Sequence, residues 1–309
     1  MFKNIVFMGT SNFAVSILKS LYQNGYPISV VYTQPPQKSN RGYKINKSPV
    51  HIFSENLNFK IRTPYSFQNN EEEKVFLKNL QPDLVIVVAY GQLMPTDILK
   101  LSKNGFINIH ASLLPKWRGA APIQRSIMNF DYETGISIMK INEKLDQGPI
   151  YASYSIAIKK NENAEDLSKR LAALASEKIL SCIEDIFENK AIFKEQDHTQ
   201  ATYAKKIKKI EGKLSWKDSA EINIGKINGL YPFPGAWFEY DGKRYKLLKA
   251  EFSNNSGKPG IILSDNFEIG CSENSIKVLQ IQREGKNPQN IREFMLGTQI
   301  KKGTDLNYV

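Results

Sequence analysis

Residues 83–89, Asp83-Leu84-Val85-Ile86-Val87-Val88-Ala89, form an almost uninterrupted apolar run. No other feature restricts the fold so strongly. A strand with one wet face alternates polar and apolar side chains, whereas a strand covered by helices on both faces reads as a continuous apolar segment, the habit of parallel sheets. The flanking sequence agrees. Residues 3–8 and 28–32 are strand-like, and between them Ser11 or Asn12 can cap a helix with Phe13, Ile17, Leu18 and Leu21 at helical spacing. Strand, helix and strand in succession is the pattern of βαβ units. Two more strand-like runs end at His110 and near Ile141, and an amphipathic helix is predicted over residues 164–188, with Leu167, Leu171, Leu174, Ile179 and Ile183 among its apolar positions. The first half is therefore expected to be α/β: an open, mainly parallel sheet with helices on both faces.

At 309 residues, two domains are the natural expectation. Periodic order is lost over residues 189–208, which read as a linker. Beyond them the texture changes to short strands and turns. Residues 236–240 and 243–247 flank Asp241-Gly242, a hairpin signal because Asp-Gly suits a type I′ turn. Residues 261–263, 267–269 and 276–279 continue a β pattern, and residues 290–296 read as a short late helix. The expected division is residues 1–188, a linker over 189–208, and a β-rich module over 209–309.

Formal net charge is +11, and its distribution says more than its size. Between Gln34 and Ser54 lie Lys38, Arg41, Lys44 and Lys47 with no acid. A second run, Lys205, Lys206, Lys208, Lys209, Lys213 and Lys217, is interrupted only by Glu211. One such run is an ordinary solvated face; two separated runs fit a polyanionic partner, a nucleic acid. The two cysteines, Cys182 and Cys271, are far apart and have no metal-type spacing, so neither a disulfide framework nor a metal is expected. No stretch approaches the roughly 18 apolar residues of a membrane span. A cytoplasmic monomer with no membrane partner is the expectation.

The chemistry concentrates where the fourth strand stops. Asn108 and His110 are two apart on an extended segment, so they face the same way, and open α/β sheets place ligands at the carboxyl ends of such strands. An amide can donate to a developing oxyanion, and an imidazole can move protons near neutral pH. Asp146 closes the next alternating run before Gly148-Pro149 and could orient His110 if the two strands are neighbours. Competing chemistries lack their loops. Gly9-Thr10-Ser11-Asn12-Phe13-Ala14 is not a GxGxxG turn, and Ser112 has no glycines of a nucleophile elbow, so its hydroxyl is expected to serve its own loop. His51 and His198 have no ligand-like partners and read as surface or structural residues.

Asn108 to Gly119, continued by Ala120-Ala121-Pro122-Ile123-Gln124-Arg125, resembles the signature of the methionyl-tRNA formyltransferase family, and Leu145-Asp146-Gln147-Gly148 resembles a second signature of the wider formyltetrahydrofolate-dependent formyltransferases. Phe7-Met8-Gly9-Thr10, Val87-Val88-Ala89-Tyr90-Gly91 and Asn228-Gly229-Leu230-Tyr231-Pro232-Phe233-Pro234-Gly235 carry the likeness along nearly the whole chain. The resemblance implies a Rossmann-like N-terminal domain and a smaller OB-like barrel that binds tRNA. It implies catalysis by Asn108, His110 and Asp146 without metal, with 10-formyltetrahydrofolate as donor and initiator methionyl-tRNA as acceptor. Ser112, Leu113, Leu114 and Pro115 match the folate-binding loop, with Val88, Tyr90 and Gly91 approaching the same pocket. Arg41, flanked by Lys38 and Lys44, matches the arginine of an inserted tRNA-contacting loop, although Tyr43 stands where a second basic residue is common. Lys205, Lys206, Lys208 and Lys209 extend the expected tRNA surface. Two other readings stay open: a related enzyme acting on an amino sugar or glycinamide nucleotide, and a non-catalytic nucleic-acid-binding module.

Overall fold

Every residue of the Ile5–Gly9 and Leu84–Val88 strands is buried, as strands covered on both faces must be. These strands lie at the centre of the first sheet of the computed structural model, which describes residues 3–39 and 44–307. Seven strands run in the order Ile150–Ala157, Glu133–Lys140, Phe106–His110, Leu84–Val88, Ile5–Gly9, Ile28–Tyr32 and Ile61–Arg62. The last five pair in parallel. Glu133–Lys140 runs antiparallel to Phe106–His110, with Asn108 opposite Met139 and His110 opposite Ser137. The sheet is thus mainly parallel, and chain order reverses between Ile5–Gly9 and Leu84–Val88, the switch point at which such sheets open a crevice.

Helix signals behave as their chemistry dictates. Ser11 caps the Asn12–Gln23 helix by accepting from the Ala14 N–H, and Phe13, Ala14, Ile17, Leu18 and Leu21 form its buried stripe. A 24-residue helix fills Ala164–Phe187. Among the described residues no helix is long and apolar enough to cross a membrane.

The chain divides into two compact units, each discontinuous in sequence. One comprises Met1–Gly119, Thr134–Ile156 and Ser168–Tyr203; the other comprises Ala120–Glu133, Ala157–Leu167 and Ala204–Val309. The second unit owns the Pro122–Met128 helix because the Ala220–Gly229 helix packs directly on it: a Cβ on Gly229 would lie 2.5 Å from Met128 Cγ and 3.0 Å from the Gln124 carbonyl. Its antiparallel sheet follows the order Ala236–Tyr240, Lys243–Ser253, Ser275–Arg283, Glu268–Gly270 and Ile262–Ser264, with Gln289–Asn290 also on Ser275–Arg283. Asp241 and Gly242 both take positive φ, 49° and 65°, as the tight hairpin turn requires. Phe238 stacks on Tyr245 at 5.3 Å over a core that includes Trp216, Phe267, Ile276 and Phe294. Inside this small β-rich module Glu268 is buried. Burial opposes its charge, but donors from Ser253, Ser275, Asn255 and Ser264 outweigh that effect and hold its carboxyl below the usual range.

Candidate active site

The first unit brings Asn108, His110 and Asp146 together. Asn108 and His110 lie on the Phe106–His110 strand. Asp146 does not extend the neighbouring strand, contrary to the expectation from its alternating run. Glu133–Lys140 stops at Lys140, and Asp146 sits in the following loop with φ 53°. Five residues, 141–145, separate it from the strand end, and among them Asn142, Glu143 and Lys144 are polar and exposed. The loop nonetheless returns its carboxylate to the imidazole: Oδ2 is 3.7 Å from His110 Nδ1 and accepts the Gly119 N–H at 2.8 Å. Oδ1 is 3.5 Å from Asn108 Nδ2, the far limit of a hydrogen bond, so that amide is only lightly engaged.

His110 is 6% exposed, and its tautomer follows from its neighbours. Nε2 lies 2.9 Å from the Trp117 carbonyl, which can only accept. Nε2 therefore carries a hydrogen, and Nδ1 is the nitrogen free to take a proton. Any proton gained there faces the Asp146 carboxylate. A base and its counter-charge are thus held on one side of the ring, with an amide donor beside them.

The loop after His110 is fixed by hydroxyls. Ser112 Oγ donates to the Lys116 carbonyl at 2.6 Å, serving its own loop as its sequence context implies. Ser137 Oγ donates to the Ser112 carbonyl at 2.8 Å and itself accepts the Leu114 N–H at 3.0 Å. Ser112 and Leu114 are buried; Leu113 and Pro115 are half-buried. Residues 88–91 leave the adjacent parallel strand, in register with Asn108 through Val87. Val88 is buried and Gly91 exposed, with φ 84°. Tyr90 presents its carbonyl to Thr10 Oγ1 and Gln34 Nε2, both at 3.0 Å, and turns its ring into the core beside Phe67. Its hydroxyl is buried without a hydrogen-bond partner, and burial pushes that phenol upward.

Arg118 holds side chains. It is 2% exposed and donates to Gln196 Oε1 from Nε at 3.1 Å and Nη2 at 2.6 Å, and to His198 Nδ1 at 2.8 Å. His198 is therefore a structural acceptor. Gln196 went unseen in the sequence, because a single buried polar residue in a non-periodic stretch leaves no pattern.

Arg41 lies outside the described residues, as do the side chains of Lys38 and Lys44. Lys205, Lys206, Lys208 and Lys209 are all exposed in the second unit. Their backbone is pinned: Arg125 donates to the Lys205 carbonyl at 3.0 and 3.3 Å and pairs with Glu211 at 2.7 Å. Glu211 also accepts the Lys208 N–H at 2.7 Å. The Arg125 guanidinium holds the Glu211 carboxyl below its usual range, so the one acid in the run is committed to Arg125. The four ammonium groups are left facing solvent.

Among the described residues no three His, Cys, Asp or Glu side chains are grouped to hold a metal ion. Both thiols are buried, which pushes each up to about 11, so neither is a ready nucleophile near neutral pH.

A family model described as formyl transferase matches residues 3–183, and one described as formyl transferase, C-terminal domain, matches residues 206–299. The chain is 61% identical over 310 residues to the methionyl-tRNA formyltransferase of Pelagibacter ubique, covering 100% of both chains. It is 42% identical over 306 residues to that of Caldanaerobacter subterraneus, covering 98% and 99%. Among solved structures it resembles the sugar 3N-formyl transferase WlaRD, with TM-score 0.68 and 21% identity over 93% of this chain and 100% of that one. It also resembles HypX of Aquifex aeolicus in complex with tetrahydrofolic acid, with TM-score 0.67 and 16% identity over 96% of this chain and 47% of that one. A polar cluster at the carboxyl end of a parallel strand, two family matches in chain order and full-length relatives all lead to one assignment: the chain belongs to the formyl transferase family.

Proposed function

We propose that the chain transfers the formyl group of 10-formyltetrahydrofolate to the α-amino group of methionine carried on initiator tRNA, giving formylmethionyl-tRNA for translation initiation. The observation that carries the chemical part is the Asp146 carboxylate set between His110 and Asn108. The full-length relatives and the exposed basic segment support the tRNA acceptor over an amino sugar or a glycinamide nucleotide. In the same reading residues 1–188 carry catalysis, 189–208 connect, and 209–309 bind tRNA.

Formyl transfer needs neither a covalent nucleophile nor a change of oxidation state. The methionyl nitrogen attacks the formyl carbon, the carbonyl π pair moves to oxygen, and the bond to the leaving folate nitrogen then breaks. Asn108 donates to the developing oxyanion. His110 Nδ1 takes the proton from the attacking nitrogen and returns it to the leaving one. Asp146 orients the ring and offsets the imidazolium charge between those two steps. Ser112, Leu113, Leu114 and Pro115, with Val88, Tyr90 and Gly91, hold the donor. Both segments leave the carboxyl ends of paired parallel strands, where such folds bind ligands, and Tyr90 contributes through its backbone. Lys205, Lys206, Lys208 and Lys209, with Arg41, Lys38 and Lys44, attract tRNA phosphates.

Incubating the purified chain with formyl donor and charged initiator tRNA, then releasing and identifying the amino acid, tests this directly. Formylmethionine is expected. Formylation of an amino-sugar nucleotide or a glycinamide nucleotide in its place would overturn the acceptor assignment, and no transfer to any of the three would overturn the enzymatic one.

A further inference from the structure

Within residues 189–208, Gln196 is 7% exposed and reaches the loop that carries Asp146. We infer that Gln196 is a positioning residue for formyl transfer, one that sets the Asp146 carboxylate against His110 and Asn108; this rests on the catalytic reading of Asp146 given above.

Three observations converge. Arg118 decides which way the Gln196 amide faces. A guanidinium only donates, so the atom 2.6 Å from Nη2 and 3.1 Å from Nε is the amide oxygen. The amide nitrogen then points the other way with two hydrogens and meets two carbonyls, Asp146 at 3.0 Å and Gly148 at 2.7 Å, one on each side of Gln147. A two-way bridge delivers Gln196 to this place. Ile150 and Lys194 exchange N–H···O bonds of 2.8 Å each, two residues before Gln196.

Other contacts hold the loop away from the Asp146 carbonyl: the Lys140 N–H donates to the Pro149 carbonyl at 2.9 Å, the Gln147 N–H to the Lys144 carbonyl at 3.3 Å, and Thr96 Oγ1 to the Glu143 carboxylate at 2.7 Å. Gly148 presses on the strand end, where a Cβ would fall 1.9 Å from the Lys140 carbonyl. The Gly119 N–H fixes one carboxylate oxygen. Asp146 itself has a left-handed backbone, φ 53°, and Gln196 holds its carbonyl. Arg118-Gly119 thus reaches Asp146 twice, through the Gly119 N–H to the carboxylate and through Arg118 and Gln196 to the carbonyl. A catalytic group displaced by about 1 Å loses on the order of 100-fold in rate.

Gln196→Glu separates positioning from folding. A carboxylate still accepts both Arg118 hydrogen bonds but donates nothing to the Asp146 and Gly148 carbonyls. The expected result is a chain still folded by circular dichroism with a melting temperature lower by roughly 4–8 °C, kcat for formylmethionyl-tRNA lower by about 10- to 100-fold, and unchanged KM for tRNA and for formyl donor. Combined with Asp146→Ala, the same change should alter kcat by less than about twofold, because the residue it positions is gone. If Gln196→Glu folds poorly by circular dichroism, Gln196→Asn keeps the amide, shortens its reach and is read through the same cycle. Wild-type kcat for the Gln196 variant beside an inactive Asp146→Ala overturns the inference alone. So does a full multiplicative loss in the double variant, the mark of a merely structural residue. Wild-type kcat for Asp146→Ala removes the catalytic reading and the inference together.

Discussion

The centre around His110 and the basic run of residues 205–209 handle charge in opposite ways. In the first, Arg118 is 2% exposed, His110 6% and Gln196 7%, and each of these side chains has a hydrogen-bond partner. In the second, only the backbone is held, through Arg125 and Glu211, and four ammonium groups face water. Low dielectric makes a buried interaction strong and its geometry exacting. Exposed charges act at longer range, tolerate disorder and fade with salt. In the proposed function, precise placement serves bond-making, and solvent-facing charge serves the capture of a polyanion. Single substitutions should be severe in the first region and mild in the second.

The largest expected effect is in the centre. Asn108→Ala, His110→Ala and Asp146→Ala should each lower single-turnover formylation by about 100- to 1,000-fold while circular dichroism shows a folded chain. Their combined losses should fall short of the product of the single ones, since the three act as a unit. Next comes Arg118→Ala, which leaves Gln196 and His198 without their donor. Loss of hydrogen bonds to a buried charge of about 2 kcal/mol should lower the melting temperature by roughly 4–8 °C, with activity falling alongside. An unchanged melting temperature with only a raised donor KM would instead make Arg118 a ligand contact.

The basic run should answer to salt rather than to single substitutions. Replacing Lys205, Lys206, Lys208 and Lys209 together should reduce the slope of log affinity against log salt by about 3, whereas any one replacement removes less than 1. An unchanged slope would return these lysines to ordinary solvated surface. The smallest effect concerns acid. The Glu211 and Glu268 carboxyls are both lowered in the folded chain, the first by Arg125, the second by hydroxyl and amide donors that outweigh burial. Groups depressed by folding stabilise it above their unfolded value, about 4.3 for glutamate, and lose that contribution as pH falls through the lower folded value. Melting temperature should thus hold from pH 7 to about 5 and fall below about 4, with Glu268→Gln showing a shallower fall.

The same contrast explains what could be read from the sequence. Periodic elements were legible because burial imposes a period: the Asn12–Gln23 stripe with its Ser11 cap, the Ala164–Phe187 helix and the Asp241-Gly242 hairpin all stand where spacing and turn chemistry put them. Asn108 and His110 were legible as a pair because a strand fixes their common face. Asp146 was legible as a residue but not as a position, since a left-handed loop residue has no period to betray it. Gln196 was invisible for a stronger reason. Its partners Asp146, Gly148 and Arg118 lie 48 to 78 residues away, and its own neighbours are exposed and irregular. The helix Pro122–Met128 joined the second unit through a glycine contact that no local pattern announces.

The division between placement and capture is tested most directly by single-turnover formylation measured across tRNA concentration for His110→Ala and for the fourfold lysine variant. The lysine variant is predicted to need more tRNA yet reach the wild-type plateau within about twofold, while His110→Ala half-saturates normally at a plateau lower by about 100-fold or more. A collapsed plateau in the lysine variant, or a wild-type plateau in His110→Ala, would contradict it.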